Sequence, residues 1–153
     1  MSKKIDIRKH TLVPKAQKLS EKGAKRVLPL QVHGAFHSGL MISAREKLKP
    51  YILATPFKNS SPLIMMNASA QLTENAQHIQ LGLIEQITAS VRWEQSICRM
   101  ESHSPDLYIE VGCGKTLARL NKQIGVTAPS ISIDKVEDLI TLESTLQSLP
   151  QKH

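Results

Sequence analysis

The sequence predicts an α/β domain with a mostly parallel sheet. Short apolar runs of strand length alternate with longer segments of helical spacing, the order that builds parallel sheets. At Gly112-Cys113-Gly114 a strand pattern passes through a glycine turn directly into a helix pattern. Hydrophobic residues make up 41% of the 153 residues, enough for one domain with a real core.

The elements follow in order. Residues 1–10 are polar, charged and without periodicity, a lead-in. Thr11 is an N-cap candidate for a short helix to about Lys22, with Gly23 as its stop. Arg26 to Val32 reads as a buried strand. Leu40 to about Leu53 has helical spacing, and Pro50 inside it should kink or interrupt the helix. Asn59-Ser60-Ser61-Pro62 is a turn cluster before a short buried strand, Leu63-Ile64-Met65-Met66, that ends in Asn67. Leu72-Thr73-Glu74 is expected to open a long helix through Ile87, capped by Thr73. Another helix spans Val91 to about Met100 and holds the single tryptophan, Trp93. Pro105-Asp106 turns into the strand Leu107–Val111. A helix from Lys115 to about Ile124, a strand at Ser130–Ile133 and a helix at Glu137–Leu149 complete the chain. No internal repeat or low-complexity tract is present.

Composition narrows the function classes. No apolar stretch approaches the ~20 residues needed to cross a bilayer, and the N-terminus has no signal-like apolar core. A cytoplasmic protein is expected, with no membrane partner. Cys98 and Cys113 form no Cys-x-x-Cys pair and have no histidine at ligand spacing from both, so free thiols are expected rather than a disulfide or metal site. The net charge of +7 is uneven: residues 1–50 carry 12 Lys/Arg against 3 Asp/Glu, and the remainder 8 against 10. The basic first third could attract phosphate or an acidic partner, or be a solvated helix face. Aromatics at 3% leave no stacking platform, which argues against nucleic acid.

His37 is the leading chemical candidate. It lies in Gly34-Ala35-Phe36-His37-Ser38-Gly39-Leu40-Met41, between an apolar strand pattern and a helical one. A histidine at such a junction is exposed and positioned, where an α/β enzyme places a general base. Gly112-Cys113-Gly114-Lys115-Thr116 has a phosphate loop's context but not its pattern, because Ile109 stands where the first glycine is needed. Two readings of that turn stay open: a tight strand-to-helix turn, or a helix N-terminus that binds an anion with Lys115. His33 and His37 are four apart, but no acidic residue completes a metalloprotease helix. His10, His78, His103 and His153 read as surface residues. No two of the seven glycines are four apart, so the Gly-x-Ser-x-Gly nucleophile elbow does not occur in these residues.

Five segments carry a resemblance to one family. They are Ala24-Lys25-Arg26-Val27-Leu28-Pro29-Leu30, the His37 segment, Met66-Asn67-Ala68-Ser69-Ala70, Glu85-Gln86-Ile87 with Val91-Arg92-Trp93, and Tyr108-Ile109-Glu110-Val111-Gly112-Cys113-Gly114-Lys115. In this order and spacing they resemble malonyl-CoA:acyl-carrier-protein transacylases from about Lys15 to near Leu149. The resemblance implies the C-terminal part of an α/β-hydrolase-like acyltransferase domain, with a remnant of its ferredoxin-like small subdomain. Residues 1–13 match poorly, residues 14–32 would be that remnant and the return strand, and residues 33–153 the large subdomain. The implied activity moves malonyl from malonyl-CoA to the phosphopantetheine thiol of an acyl carrier protein in fatty-acid biosynthesis, with no further cofactor. His37 matches the general base and acid, and Gln86 its orienter. Phe36 and Asn67 fall on the substrate side: Phe36 would crowd the acyl α-carbon, where a clashing methyl is worth roughly 1–3 kcal/mol, and Asn67 would shape the strand end. The alternative for Phe36 is ordinary packing beneath the histidine.

The resemblance also has a gap. The family's serine elbow, oxyanion-hole segment and malonate-binding arginine have no counterpart in these residues. The expectation is therefore a fragment whose partners are the missing N-terminal half, malonyl-CoA and an acyl carrier protein. Alone it should be inactive and prone to aggregate or to seek the missing half. The alternative is a non-catalytic binding fragment or remnant that docks a carrier protein or that half.

Overall fold

A computed structural model describes residues 17–23 and 34–149. The chain divides into two units, Met1–Ala35 and Phe36–His153. In the first, residues 17–21 are helical, and the Gly23 N–H bonds the Ser20 carbonyl at 3.0 Å. Gly23 has φ 90°, the left-handed value at which a side chain is strained, so it ends the helix as expected. The expected Thr11 cap, the strand at Arg26–Val32 and most of the 14–32 remnant lie outside the described residues, as do His10, His33 and His153.

The second unit begins with the turn that carries His37 and a 3-10 turn at Gly39–Met41. Helix α1 follows, Ile42–Ala54. Of the kink or interruption expected at Pro50, the interruption does not occur: the helix runs through it. Glu46, whose carbonyl loses its i+4 donor, is solvent exposed, where water satisfies such a group at little cost. At the C-terminal end of α1, the Ile52 carbonyl accepts from the Thr55 N–H at 3.2 Å and from the Gln80 side chain at 2.9 Å, which ties the helix end to the later helix Ala76–Gln86.

Strands β1, Ile64–Met66, and β2, Gln71–Thr73, form an antiparallel hairpin in the register Ile64↔Thr73, Met65↔Leu72, Met66↔Gln71. Its loop is closed by the Ala70 N–H on the Met66 carbonyl at 2.8 Å, with Ala70 at φ 54°. The expected helix start at Leu72-Thr73-Glu74 is thus corrected: Thr73 ends a strand. The cap is Asn75, whose side chain accepts from the His78 N–H at 3.0 Å. Asn59 accepts from the Ala76 N–H at 2.9 Å, so two asparagines cover the start of α2, Ala76–Gln86. Helix α3 is Trp93–Glu101. The hairpin packs on α2 at Gly82, where an added Cβ would run into the Met66 side chain.

The rest is a parallel strand–helix–strand unit with a closing helix. β3, Tyr108–Val111, pairs with β4, Ser130–Ile133, from Tyr108↔Ser130 to Val111↔Ile133. Between them lies α4, Thr116–Ile124, ended by Gly125 at φ 86°. α5 is Asp138–Ser148. The buried apolar residues among those described are Met66, Ala68, Ala70, Ile79, Ile84 and Ile97, all within the hairpin, α2 and α3. No helix among the described residues is long and apolar enough to cross a membrane.

Candidate active site

His37 sits in the turn before α1 with φ 58°, a left-handed value uncommon for a residue with a side chain. Strain of this kind persists where surrounding contacts fix it, and it clusters at functional sites. The contact here is a 2.8 Å hydrogen bond between His37 Nδ1 and the backbone carbonyl of Gln86. A carbonyl oxygen can only accept, so the proton lies on Nδ1. Nε2 is then the ring's acceptor, the nitrogen a general base needs.

The position of Gln86 explains why its carbonyl is available. Gln86 is the last residue of α2, and the last four carbonyls of a helix have no partner within it. The same end carries the negative pole of the helix dipole. A helix terminus therefore fixes the ring's tautomer here, as a carboxylate does in a Ser-His-Asp triad.

Around this contact the fold places the other sequence-predicted residues. Asn67, first residue of the hairpin loop, donates from Nδ2 to the Gln86 side-chain Oε1 at 3.2 Å. Its own carbonyl accepts from the Arg92 N–H at 2.9 Å, which ties the loop to the start of α3. His37, Gln86 and Asn67 thus form one connected set. Phe36 immediately precedes His37 and is 67% exposed, so it is not packed beneath the histidine. On the far side of Gln86, Arg45 donates to the Thr88 hydroxyl at 3.3 Å, and that hydroxyl donates to the Glu85 carbonyl at 3.3 Å.

The glycine turn resolves differently. The sequence left open an anion bound at the α4 N-terminus with Lys115, but that place is filled from within. Glu110, on β3, accepts from the Leu117 N–H at 2.9 Å and the Ala118 N–H at 3.0 Å, and from the Ser132 hydroxyl at 3.0 Å. These donors, the two backbone N–H groups foremost, hold its carboxyl below the usual value of 4.5. Gly112 at φ 133° and Gly114 at φ 92° make the turn that allows this. Among the described residues no hydrogen bond joins the turn to His37 or Asn67, and strands β1 and β3 belong to separate two-stranded sheets.

Other candidates take ordinary places. His78 and His103 are exposed, as are the free thiols of Cys98 and Cys113. Among the described residues no group of three or more His, Cys, Asp or Glu could hold a metal. Sequence reasoning identified Gln86 but not that its backbone does the orienting, and it missed the Glu110 cap. The signal for that cap was an acidic residue two positions before a glycine turn that opens a helix.

Comparisons with known proteins bear on the chain's sequence and fold. No family model matches the chain. The malonyl CoA-acyl carrier protein transacylase of Bacillus subtilis is 36% identical over 133 residues, covering 87% of this chain and 41% of that protein. The enzyme of the same name from Synechocystis is 31% identical over 121 residues, 79% of this chain and 40% of its own length. Among solved structures, the Synechocystis malonyl-CoA:ACP transacylase superposes with a TM-score of 0.72 at 30% identity, covering 77% of this chain and 40% of that one. A malonyl-transacylase solved in complex with a type II PKS acyl-carrier protein gives a TM-score of 0.77 at 28% identity, covering 84% of this chain and 42% of that one. The chain spans about two fifths of the length of the curated relatives it matches. In sequence and in fold, it matches the C-terminal half of the malonyl CoA-acyl carrier protein transacylases.

Proposed function

We propose that this chain supplies the histidine side of a malonyl-transfer site. The reaction moves malonyl from malonyl-CoA to the phosphopantetheine thiol of an acyl carrier protein, and we place it in the cytoplasm. The observation that carries the reading is the 2.8 Å bond from His37 Nδ1 to the Gln86 carbonyl, which leaves Nε2 as a base. The nucleophile is a serine from sequence outside these 153 residues, since the chain has no Gly-x-Ser-x-Gly.

In the first half-reaction, Nε2 takes the hydroxyl proton as the serine oxygen attacks the malonyl thioester carbonyl. The carbon–sulfur bond then breaks, and the imidazolium returns its proton to the departing CoA thiolate. In the second half-reaction, Nε2 takes the proton of the carrier thiol, whose sulfur attacks the serine ester. The serine oxygen leaves with that proton. The ring cycles between neutral and charged forms, and the Gln86 carbonyl stays bonded to Nδ1 in both. Phe36 lies beside the acyl α-carbon and disfavours a methyl branch there.

Intact-protein mass spectrometry tests this. The chain is mixed with malonyl-CoA alone, and again after co-expression with the N-terminal part of the Bacillus subtilis relative that it does not match. A malonyl adduct on the added part, formed only when both are present and weaker with methylmalonyl-CoA, is the expected result. No adduct from two folded, associated parts would overturn the reading in favour of a non-catalytic binding module. An adduct on this chain alone would overturn the assignment of the nucleophile.

A further inference from the structure

The sequence resemblance places Asn67 on the substrate side of the site, but the hydrogen bonds give it another task. Its side chain reaches the Gln86 side chain, 3.2 Å from Nδ2 to Oε1. Its backbone carbonyl holds the Arg92 N–H at 2.9 Å. These two bonds join the hairpin loop to the segment between α2 and α3, on either side of residues 87–91. That segment begins where α2 ends, and the last carbonyls of a helix fray unless something holds them. The Gln86 carbonyl is one of them, and it is the group that fixes the His37 ring.

We propose that Asn67 is a positioning residue for His37. It grips the Gln86 side chain so that the backbone carbonyl of the same residue stays aimed at Nδ1. The inference rests on the general-base reading of His37. The ring's hydrogen bond goes to the Gln86 carbonyl and not to Asn67, so Asn67 acts only through Gln86. Its own backbone bond to Arg92 does not depend on its side chain, so Asn67→Leu should keep the hairpin and lose the grip.

The test reads the ring itself. Nitrogen-15 NMR of the imidazole in the full chain reports which nitrogen carries the proton. In the unaltered protein we expect the Nδ1–H form to dominate at His37. In Asn67→Leu the ratio of Nδ1–H to Nε2–H should fall by about two- to fivefold, up to what one ordinary hydrogen bond is worth. Gln86→Met removes the acceptor from the other side while keeping the backbone carbonyl, and should give the same fall. The double variant should give no further fall, because both changes break one bond. A folded Asn67→Leu with an unchanged ratio overturns the proposal, as would additive single effects. If Asn67→Leu does not fold, Gln86→Met decides alone. If the unaltered protein carries its proton on Nε2, the base reading of His37 fails instead, a different result from a failure of Asn67. A residue that merely binds substrate would leave the ratio untouched.

Discussion

Residues 64–101 and residues 106–149 hold themselves together by different means. The first region, the hairpin with α2 and α3, contains every buried apolar residue among those described, and Ile97 is only 1% exposed. The second contains two paired strands and two helices, yet its one buried residue is polar, Asn121, which donates to the Ser130 hydroxyl at 3.3 Å. Val111, Val136 and Ile140 there are 81%, 77% and 72% exposed. Carboxylates fasten it instead. Glu110 covers the start of α4, Asp138 Oδ2 accepts from the Asp134 and Lys135 N–H groups at 2.9 Å each, and Glu101 accepts from the Thr127 N–H at 2.9 Å and hydroxyl at 2.8 Å. Gln86 and Asn67 belong to the first region, where packing can hold the carbonyl that meets the His37 ring. The open apolar faces of the second are of the kind that a further part of a domain covers.

Ways to break this contrast run from large to small. Ile97→Ala should cost about 2–5 kcal/mol in denaturant unfolding, since it empties a fully buried position. Val111→Ala, at an open one, should change the same measurement by no more than about 0.5 kcal/mol. Equal losses would mean that the second region is as well packed as the first.

Asn75→Ala, which removes the α2 cap, should cost about 1 kcal/mol at any pH, because the cap is uncharged. The carboxylates that fasten the second region behave otherwise. Backbone N–H donors hold the carboxyls of Glu110 and Asp138 within it, and of Glu101 that reaches it from α3, below their ordinary values of 4.5, 3.8 and 4.5. A depressed carboxyl adds stability above its ordinary value and loses it as pH falls through the folded one. Amide exchange at Leu117 and Ala118 should therefore speed up in acid before exchange in the hairpin does. Glu110→Gln should open those amides at neutral pH and flatten that dependence. Hairpin amides that open first in acid would reverse the contrast.

The smallest effect expected on the chain alone comes from Val136→Ser with Ile140→Ser, within about 0.5 kcal/mol for each exposed site. The same pair should reduce hydrophobic-dye binding and weaken capture of the Bacillus subtilis N-terminal part in a pull-down. Unchanged dye binding would show that these faces are not the exposed apolar surface.

The two regions also differed in how far the sequence disclosed them. In the second, Pro105, the Gly112–Gly114 turn and Gly125 punctuate the chain, and strand Ser130–Ile133 lies where the apolar pattern put it. In the first, the hairpin escaped notice because its loop, Asn67-Ala68-Ser69-Ala70, has an alanine where a left-handed turn usually advertises itself with glycine. With the hairpin missed, Thr73 looked like a helix cap, and only pairing with Ile64 reveals it as a strand end. His37, Gln86 and Asn67 were legible as residues through the family resemblance. Their connection was not, because it depends on α2 ending at Gln86, and pattern alone does not locate a helix end to one residue.

The central claim is that His37 provides the base for malonyl transfer. The direct measurement is the rate of label transfer from malonyl-CoA to a holo acyl carrier protein by the chain paired with the relative's N-terminal part, with and without His37→Ala. The account predicts a loss of about 100- to 10,000-fold, the usual contribution of general acid–base catalysis, with association of the two parts intact. A His37→Ala pair that transfers malonyl at the unaltered rate would contradict it.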